Sequence, residues 1–272
     1  MQRIIDSHIH FWDIDNGYNR WVKDTDLPTK VLPSDFKIDN FVHIEAHTED
    51  VDHLCEYKWI VANFSNKNIK VIAFVDFTQS VQSFEQKIIE LLYYKDIVGV
   101  RQIMSKDFDA KYSPFDKEIP SDLFEKLVIL KRYNMIFECQ MYPQQFVSAV
   151  SDILKSNVTC CVEHFGLPIK TRNDNLLYWR DLLRYVDNNQ NLYLKLSGGD
   201  LNNDEDDIKE ILDEIRDSVD TSKLCYGSNY PVSNKDNYNK WFDIVYSTFT
   251  DAKSQQDIFC NTANKLYGFN LL

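Results

Sequence analysis

Residues 4–12 read IIDSHIHFW, and this stretch decides the fold. Its apolar, strand-like run carries His8 and His10 two positions apart. Side chains alternate faces along a strand, so Asp6, His8 and His10 are expected to point the same way. Two imidazoles then stand side by side at a strand end, where one ion or one substrate oxygen meets both. H-x-H alone is a weak signal, and two histidines with no shared task is the plainer explanation. Other stretches strengthen it: His164 ends a second apolar strand, and GSNYP at 227–231 ends a third. Side chains from different strands converging on one mouth are what a parallel barrel builds.

Working outward, apolar runs mark strands at 3–11, 41–47, 70–77, 97–104, 135–142, 158–164, 192–197 and 223–227. The third, KVIAFVDF, is nearly continuous, as expected for a strand buried on both faces. Helical segments are expected at about 51–63, 81–94, 121–133, 144–155, 176–188, 202–219, 235–248 and 254–267. Thr48, Glu49 and Asp50 supply acidic chemistry for the first helix start, Ser121 a cap and Pro143 a first-turn proline. Strands alternating with helices imply parallel βαβ units. Eight such units fit a closed α/β barrel of the (β/α)8 TIM type better than an open doubly wound sheet. No glycine-rich dinucleotide loop follows the first strand. Without an internal repeat or a low-complexity linker, residues 1–272 are expected to form one domain. The long loop at 13–39, with Trp21, Pro28 and Pro33, is of the kind that covers a site.

The chain has 272 residues, enough to bury a sizeable core, and a formal net charge of −12. That charge argues against nucleic acid and against an anionic membrane surface. It leaves a small anionic substrate open, since a pocket carries its own local charge. The six cysteines form no C-x-x-C pair, and four of them lie in apolar strands, which reads as reduced, buried thiols. The sequence enters a strand almost at once and has no run apolar enough to span a bilayer. A cytoplasmic location is therefore expected. No feature specifies an oligomer or a protein partner.

In a barrel the site lies at the C-terminal strand ends. These deliver His8 and His10, then Glu45 and His47, Arg101, Glu138 or Gln140, His164, Lys195 and Asn229. Imidazoles suit zinc or another divalent ion, with carboxylates completing the shell. Alternation in FVHIEAH puts His43, Glu45 and His47 on one face. His43 and His53 read as structural or surface residues, and His47 as site or loop packing. Glu138 lies mid-strand, where Lys195 is a candidate interior partner. Trp12, Trp21 and Tyr230 either line a pocket or, as large aromatics commonly do, fill the core.

These residues resemble the amidohydrolase superfamily, and within it the amidohydrolase-related branch of sugar-lactone and pyrone-dicarboxylate lactonases. The resemblance covers nearly the whole chain. It rests on DSHIHFWD at 6–13, RWVKDTDLP at 20–28, HIEAH at 43–47, GVRQ at 99–102, VEHFGLP at 162–168, LKLSG at 194–198, YGSNYP at 226–231 and NTANKLYGF at 261–269. It implies a (β/α)8 barrel and hydrolysis of a lactone, with a role in carbohydrate metabolism. By the same resemblance, His8, His10 and His164 are the metal-binding and catalytic histidines, and Arg101 suits a substrate carbonyl or carboxylate. Binuclear relatives bridge two metals with a strand-four lysine, whereas this chain has Val98, Val100 and Arg101 there. One divalent ion (zinc or manganese) or none is implied.

The departure is Asn229. The branch carries aspartate there, in GSD-aromatic-Pro, to take a proton from the attacking water and deliver one to the leaving oxygen. An amide does neither near neutral pH, and such assistance is worth roughly 10²–10⁴-fold. Glu45, His47, His164 and Glu163 are the candidate replacements. The expected hydrolase uses His8, His10 or an ion they hold to polarise the carbonyl or activate water. Arg101 and His164 steady the oxyanion or orient the ring. Glu45, His47, Lys195, Trp12 and Tyr230 are the expected substrate contacts. The partner is a small lactone or sugar acid. The alternatives are a zinc-dependent decarboxylase of the same superfamily, or a small-molecule binder impaired by Asn229.

Overall fold

The computed structural model describes residues 3–48, 51–233 and 235–271. Eight parallel strands follow one another in chain order: β1 (Ile5–Ile9), β2 (Asn40–Ile44), β3 (Asn68–Phe74), β4 (Ile97–Ile103), β5 (Ile136–Gln140), β6 (Cys160–Val162), β7 (Leu192–Leu196) and β8 (Leu224–Tyr226). Beyond β8 the ring closes on β1: the Asn229 N–H donates to the His8 carbonyl at 2.7 Å, and the His10 N–H to the Tyr230 carbonyl at 2.9 Å. This is a (β/α)8 barrel, and its closing seam runs through the stretches that carry His8, His10 and Asn229.

Among the described residues, seven α-helices wrap the outside: α1 (Cys55–Asn63), α2 (Val81–Leu91), α3 (Leu123–Arg132), α4 (Pro143–Ser156), α5 (Asn173–Asn188), α6 (Glu205–Ser218) and α7 (Tyr238–Thr248). The chain ends in α8 (Ala252–Gln256) and α9 (Thr262–Tyr267), joined by one wide turn at Asp257–Asn261. Local chemistry explains several starts. The Ser80 side chain accepts from the Ser83 N–H, Pro143 opens α4, and the Asp204 carboxylate accepts from two N–H groups of α6. The first helix starts at Cys55, later than expected, and two of its expected acidic starters, Glu49 and Asp50, lie outside the described residues.

Two apolar layers result. One lies between strands and helices and takes most of the core. The other fills the barrel with Ile5, Val42, Ile44, Ile72, Ile136, Cys161, Tyr193 and Cys225, and Ala263, Tyr267 and Phe269 from the chain's end plug it. The six thiols are free, five of them buried.

The strict alternation expected at the N-terminus fails. The register of β1 against β2 shifts between Asp6 and Ile9, so the chain carries an irregularity just before the histidines. Asp6 does not join His8 and His10. Its carboxylate accepts from the Ser228 N–H at 2.9 Å and from the Tyr238 hydroxyl of α7 at 3.1 Å. Burial pushes its pKa up to about 6, against the pull of those hydrogen bonds.

Candidate active site

At the C-terminal mouth lies a cavity of about 380 Å³. One wall is polar: His10, Glu45, His47, Arg101, Tyr112, Gln140, His164 and Asn229. The other is apolar, from Trp21, Leu27, Ile103, Pro114, Leu201 and Val232. The long loop after β1 thus delivers Trp21 and Leu27 to the site, as its length suggested.

Arg101, near the end of β4, is the hub of the polar wall. Its Nε donates to Glu45 Oε1 at 2.8 Å, and Nη1 to Glu163 Oε2 at 3.0 Å and to Gln140 Oε1 at 3.2 Å. Nη2 donates to the Glu45 carbonyl at 2.7 Å. Four of the five guanidinium donors are thereby committed. Arg101 was expected to bind substrate; it lines the pocket, and its guanidinium is paired with two buried carboxylates.

Glu45 shares no partner with His43, against the alternation of FVHIEAH. His43 turns outward, accepts from the Phe11 N–H at 3.2 Å and approaches Glu56 of α1 at 3.5 Å. Glu45, past the end of β2, turns into the pocket. Burial pushes its carboxyl up to about 7, although Arg101 pulls the other way. Beside it, His47 lies flat on Phe74 with ring centroids 4.0 Å apart.

Three buried imidazoles, those of His8, His10 and His164, are driven toward the neutral form. Burial holds His8 and His10 well below the ordinary imidazole range, helped by Lys195 at His8 and Arg101 at His10. Burial takes His164 down to about 4, against the pull of Glu163. His10 Nδ1 lies 2.9 Å from the Ile44 carbonyl, so that nitrogen carries the proton and Nε2 keeps its lone pair. His164 Nδ1 meets Ser197 Oγ at 3.0 Å. Its ring lies against Gly198, where an added Cβ would sit 2.3 Å from Nδ1. Gly198 is also left-handed, at φ +58°, so glycine is required twice over.

His8, His10 and His164 do converge: ring centroids are 5.2 Å apart for His8 and His10, and 4.6 Å for His8 and His164. The group with ligand atoms all within 4.8 Å of one another, however, is His8, Glu163 and His164. Glu163 joins His8 and His164 in that group, while His10, with Nδ1 held by the Ile44 carbonyl, keeps its Nε2 lone pair beside it. Buried as they are, neither ring nitrogen of His8 and not Oε1 of Glu163 has a hydrogen-bond partner among the described residues. Unpartnered buried donors and acceptors are costly unless something satisfies them. Two neutral imidazoles and an ionised carboxylate fit a divalent cation. Burial works against the Glu163 charge, but the Arg101 and Lys195 charges and the Arg101 hydrogen bond counter it, and the carboxyl lies below its usual range.

Asn229 is left-handed at φ +52° and sits on the pocket wall. Its Nδ2 donates to Ser233 Oγ at 2.9 Å, and that hydroxyl donates to Asp200 Oδ1 at 2.5 Å. Because the Ser233 proton goes to Asp200, Ser233 accepts from the amide, and this fixes which way the amide points. Oδ1 is the acceptor left over.

Three expected substrate contacts lie elsewhere. Lys195 is sealed inside the barrel below the pocket, 2.9 Å from Glu138 Oε2 and 4.0 Å from Glu163 Oε1. Burial costs its ammonium, but Glu138, Cys161 and Glu163 together outweigh that cost and keep the pKa above the ordinary lysine value. Trp12 is buried and donates to the Pro28 carbonyl at 2.8 Å. Tyr230 packs on Phe36 and Tyr238, away from the site. Tyr112 is the residue that the sequence did not suggest. It comes from the irregular chain after β4, where no period marks which side chain turns inward. Its hydroxyl accepts from Gln140 Nε2 at 2.9 Å, which leaves its own proton to give. Burial raises its pKa to about 12, so it stays protonated.

The family model described as amidohydrolase matches residues 5–269. The chain belongs to the amidohydrolase family. A curated relative, uncharacterized protein y4mH of Sinorhizobium fredii, is 22% identical over 90% of each chain. Among solved structures, an amidohydrolase from Burkholderia multivorans with bound zinc superposes with a TM-score of 0.77, at 17% identity, covering 98% of this chain and 99% of that one. A probable 2-pyrone-4,6-dicarboxylic acid hydrolase from Acinetobacter baumannii with citric acid bound gives 0.74, at 16% identity and the same coverage. At such identities these two structures speak to the fold of this family member. No helix among its described residues is long and apolar enough to cross a membrane.

Proposed function

We propose that this amidohydrolase-family protein hydrolyses a small lactone to its hydroxy acid, with Glu45 as the proton carrier in place of an aspartate at position 229. The observation that carries this reading is a buried carboxyl on the pocket wall with a pKa pushed up to about 7. A general acid–base works best with a pKa near the working pH.

The lactone ring enters the pocket with its carbonyl toward Tyr112. Asn229 Oδ1 accepts one hydrogen bond from the attacking water and orients it. Ionised Glu45 takes the water's proton as the new carbon–oxygen bond forms. Tyr112 donates its hydroxyl proton as a hydrogen bond to the oxygen on which negative charge grows. The acyl–oxygen bond of the ring then breaks, and Glu45 returns the proton to the departing alkoxide. Arg101 acts through Glu45 and Gln140, which it holds in place. His10 Nε2 accepts from a substrate hydroxyl or from water. A divalent cation such as zinc or manganese, if held by His8, Glu163 and His164, would polarise a carbonyl or lower the pKa of a water.

Proton release from a panel of five- and six-membered lactones, followed with a pH indicator with and without zinc or manganese, tests the reading. Turnover of at least one lactone is expected. Silence across the panel, with carbon dioxide released from a hydroxylated aromatic acid, would move a decarboxylase ahead. The buried His8, Glu163 and His164 group is what favours that second reading.

A further inference from the structure

Arg101 is the one arginine or lysine among the described residues of the pocket lining. It faces Glu45 on one side and Glu163 on the other, at 2.8 and 3.0 Å. If Glu45 is ionised, the trio carries a net negative charge; if Glu45 is protonated, the trio is neutral. In neither state does an incoming carboxylate meet an uncompensated cationic side chain on the pocket lining. A single Nη2 donor is left to it, so a bidentate grip on Arg101 would have to break a buried hydrogen bond, and leaving one partner of such a pair unsatisfied is costly. The apolar part of the lining, Trp21, Leu27, Ile103, Pro114, Leu201 and Val232, offers no charge and one side-chain donor, the Trp21 indole, which is already given to the Ala46 carbonyl at 3.1 Å.

We infer that the substrate is an uncharged lactone with an apolar ring face or substituent, and that Glu45 is the residue that excludes anionic rings by occupying Arg101. This deepens the lactonase reading and rests on it for the word lactone. The exclusion itself is a binding property. It concerns specificity: a dicarboxylate ring of the same size is rejected for its charge, not its shape.

Calorimetric titration of the intact protein with two ring probes that it cannot hydrolyse as lactones tests this. The neutral probe is 3,4-dihydroquinolin-2-one, a lactam; the anionic one is pyridine-2,4-dicarboxylate. The lactam is expected to bind at least about tenfold more tightly than the dicarboxylate. In Glu45→Gln, whose amide oxygen still accepts from Arg101 Nε but no longer neutralises its charge, the dicarboxylate is expected to gain about tenfold while the lactam changes little. Equal or tighter binding of the dicarboxylate to the unaltered protein would overturn the inference, as would no heat from the lactam at millimolar concentration. An unchanged ratio in a folded Glu45→Gln would remove Glu45 as the excluding residue. The comparison on the unaltered protein stands if that variant does not fold. Lactam binding without turnover of any lactone would sink the lactonase reading alone. Turnover confined to anionic lactones would sink this inference alone.

Discussion

One hydroxyl proton, that of Ser233, decides what position 229 does. It is given to Asp200, and the Asn229 amide fills the remaining lone pair with its own N–H. An aspartate at 229 would ask the same hydroxyl for its proton, so one of two carboxylates would go without a donor. Asn229→Asp is therefore expected to lower stability by about 1–3 kcal/mol in urea unfolding and to bring no gain in lactone turnover. A gain of tenfold or more would show that the amide is a lost base and not a fitted one. Tyr112 belongs to the same scale. With Gln140 occupying its lone pair, its proton is free for the pocket. Tyr112→Phe is expected to reduce kcat by roughly 10²–10³ while KM moves little, the mark of a donor that works on developing charge. Loss confined to KM would reassign it to ground-state binding.

Elements set how much of this could be read in advance. The strands and the sites that end them were legible, because DSHIH, GVRQ, VEH and GSNYP are apolar runs stopped by polar residues. Facing was not legible where the period of two breaks. The register shift in β1 sends Asp6 toward α7, and the chain past β2 turns Glu45 inward although its parity matches His43. Lys195 was expected both among the substrate contacts and as the interior partner of Glu138, and the second holds: its parity in β7 is inward, but its depth in the barrel puts it below the mouth, beside Glu138. Tyr112 lies in chain without a period and could be found only from its contacts. After β7 the left-handed Gly198 turns the chain directly against His164. Gly198→Ala is expected to destabilise the protein by about 1–3 kcal/mol through strain alone, and by more if the imidazole cannot move aside. A melting temperature within a degree of the unaltered protein's would show that the turn tolerates a Cβ.

For the whole molecule, the barrel is filled in two kinds of layer. Apolar side chains occupy the bottom, and above them lies a buried charged layer that carries the site. The Tyr267 hydroxyl of α9 donates to Glu138 Oε1 at 2.6 Å, and the Lys195 ammonium lies 5.4 Å above the same ring. The chain's end is thereby tied to the floor of the pocket. Removing one charge from this layer leaves its partner buried and unpaired. Lys195→Met is expected to cost about 3–5 kcal/mol in urea unfolding, and the Lys195→Met, Glu138→Leu double variant to recover much of that. Equal losses in the single and double variants would mean that the pair is not coupled. The eight-strand count and the barrel itself were legible from the alternation of strand and helix. The plug was not, since nothing in NTANKLYGF distinguishes a helix that seals a barrel from one that wraps it.

The central claim is that Glu45 carries the proton. The pH dependence of kcat/KM for a lactone that the protein turns over, measured for the unaltered protein and for Glu45→Gln, tests it most directly. Only the ionised carboxyl takes a proton from water, so kcat/KM is expected to rise with pH through about 7 and then level off. In Glu45→Gln the rate is expected to fall by roughly 10²–10⁴-fold and that rise to disappear. The same rise through pH 7 in the variant, at a comparable rate, would contradict the account and place the proton carrier elsewhere in the pocket.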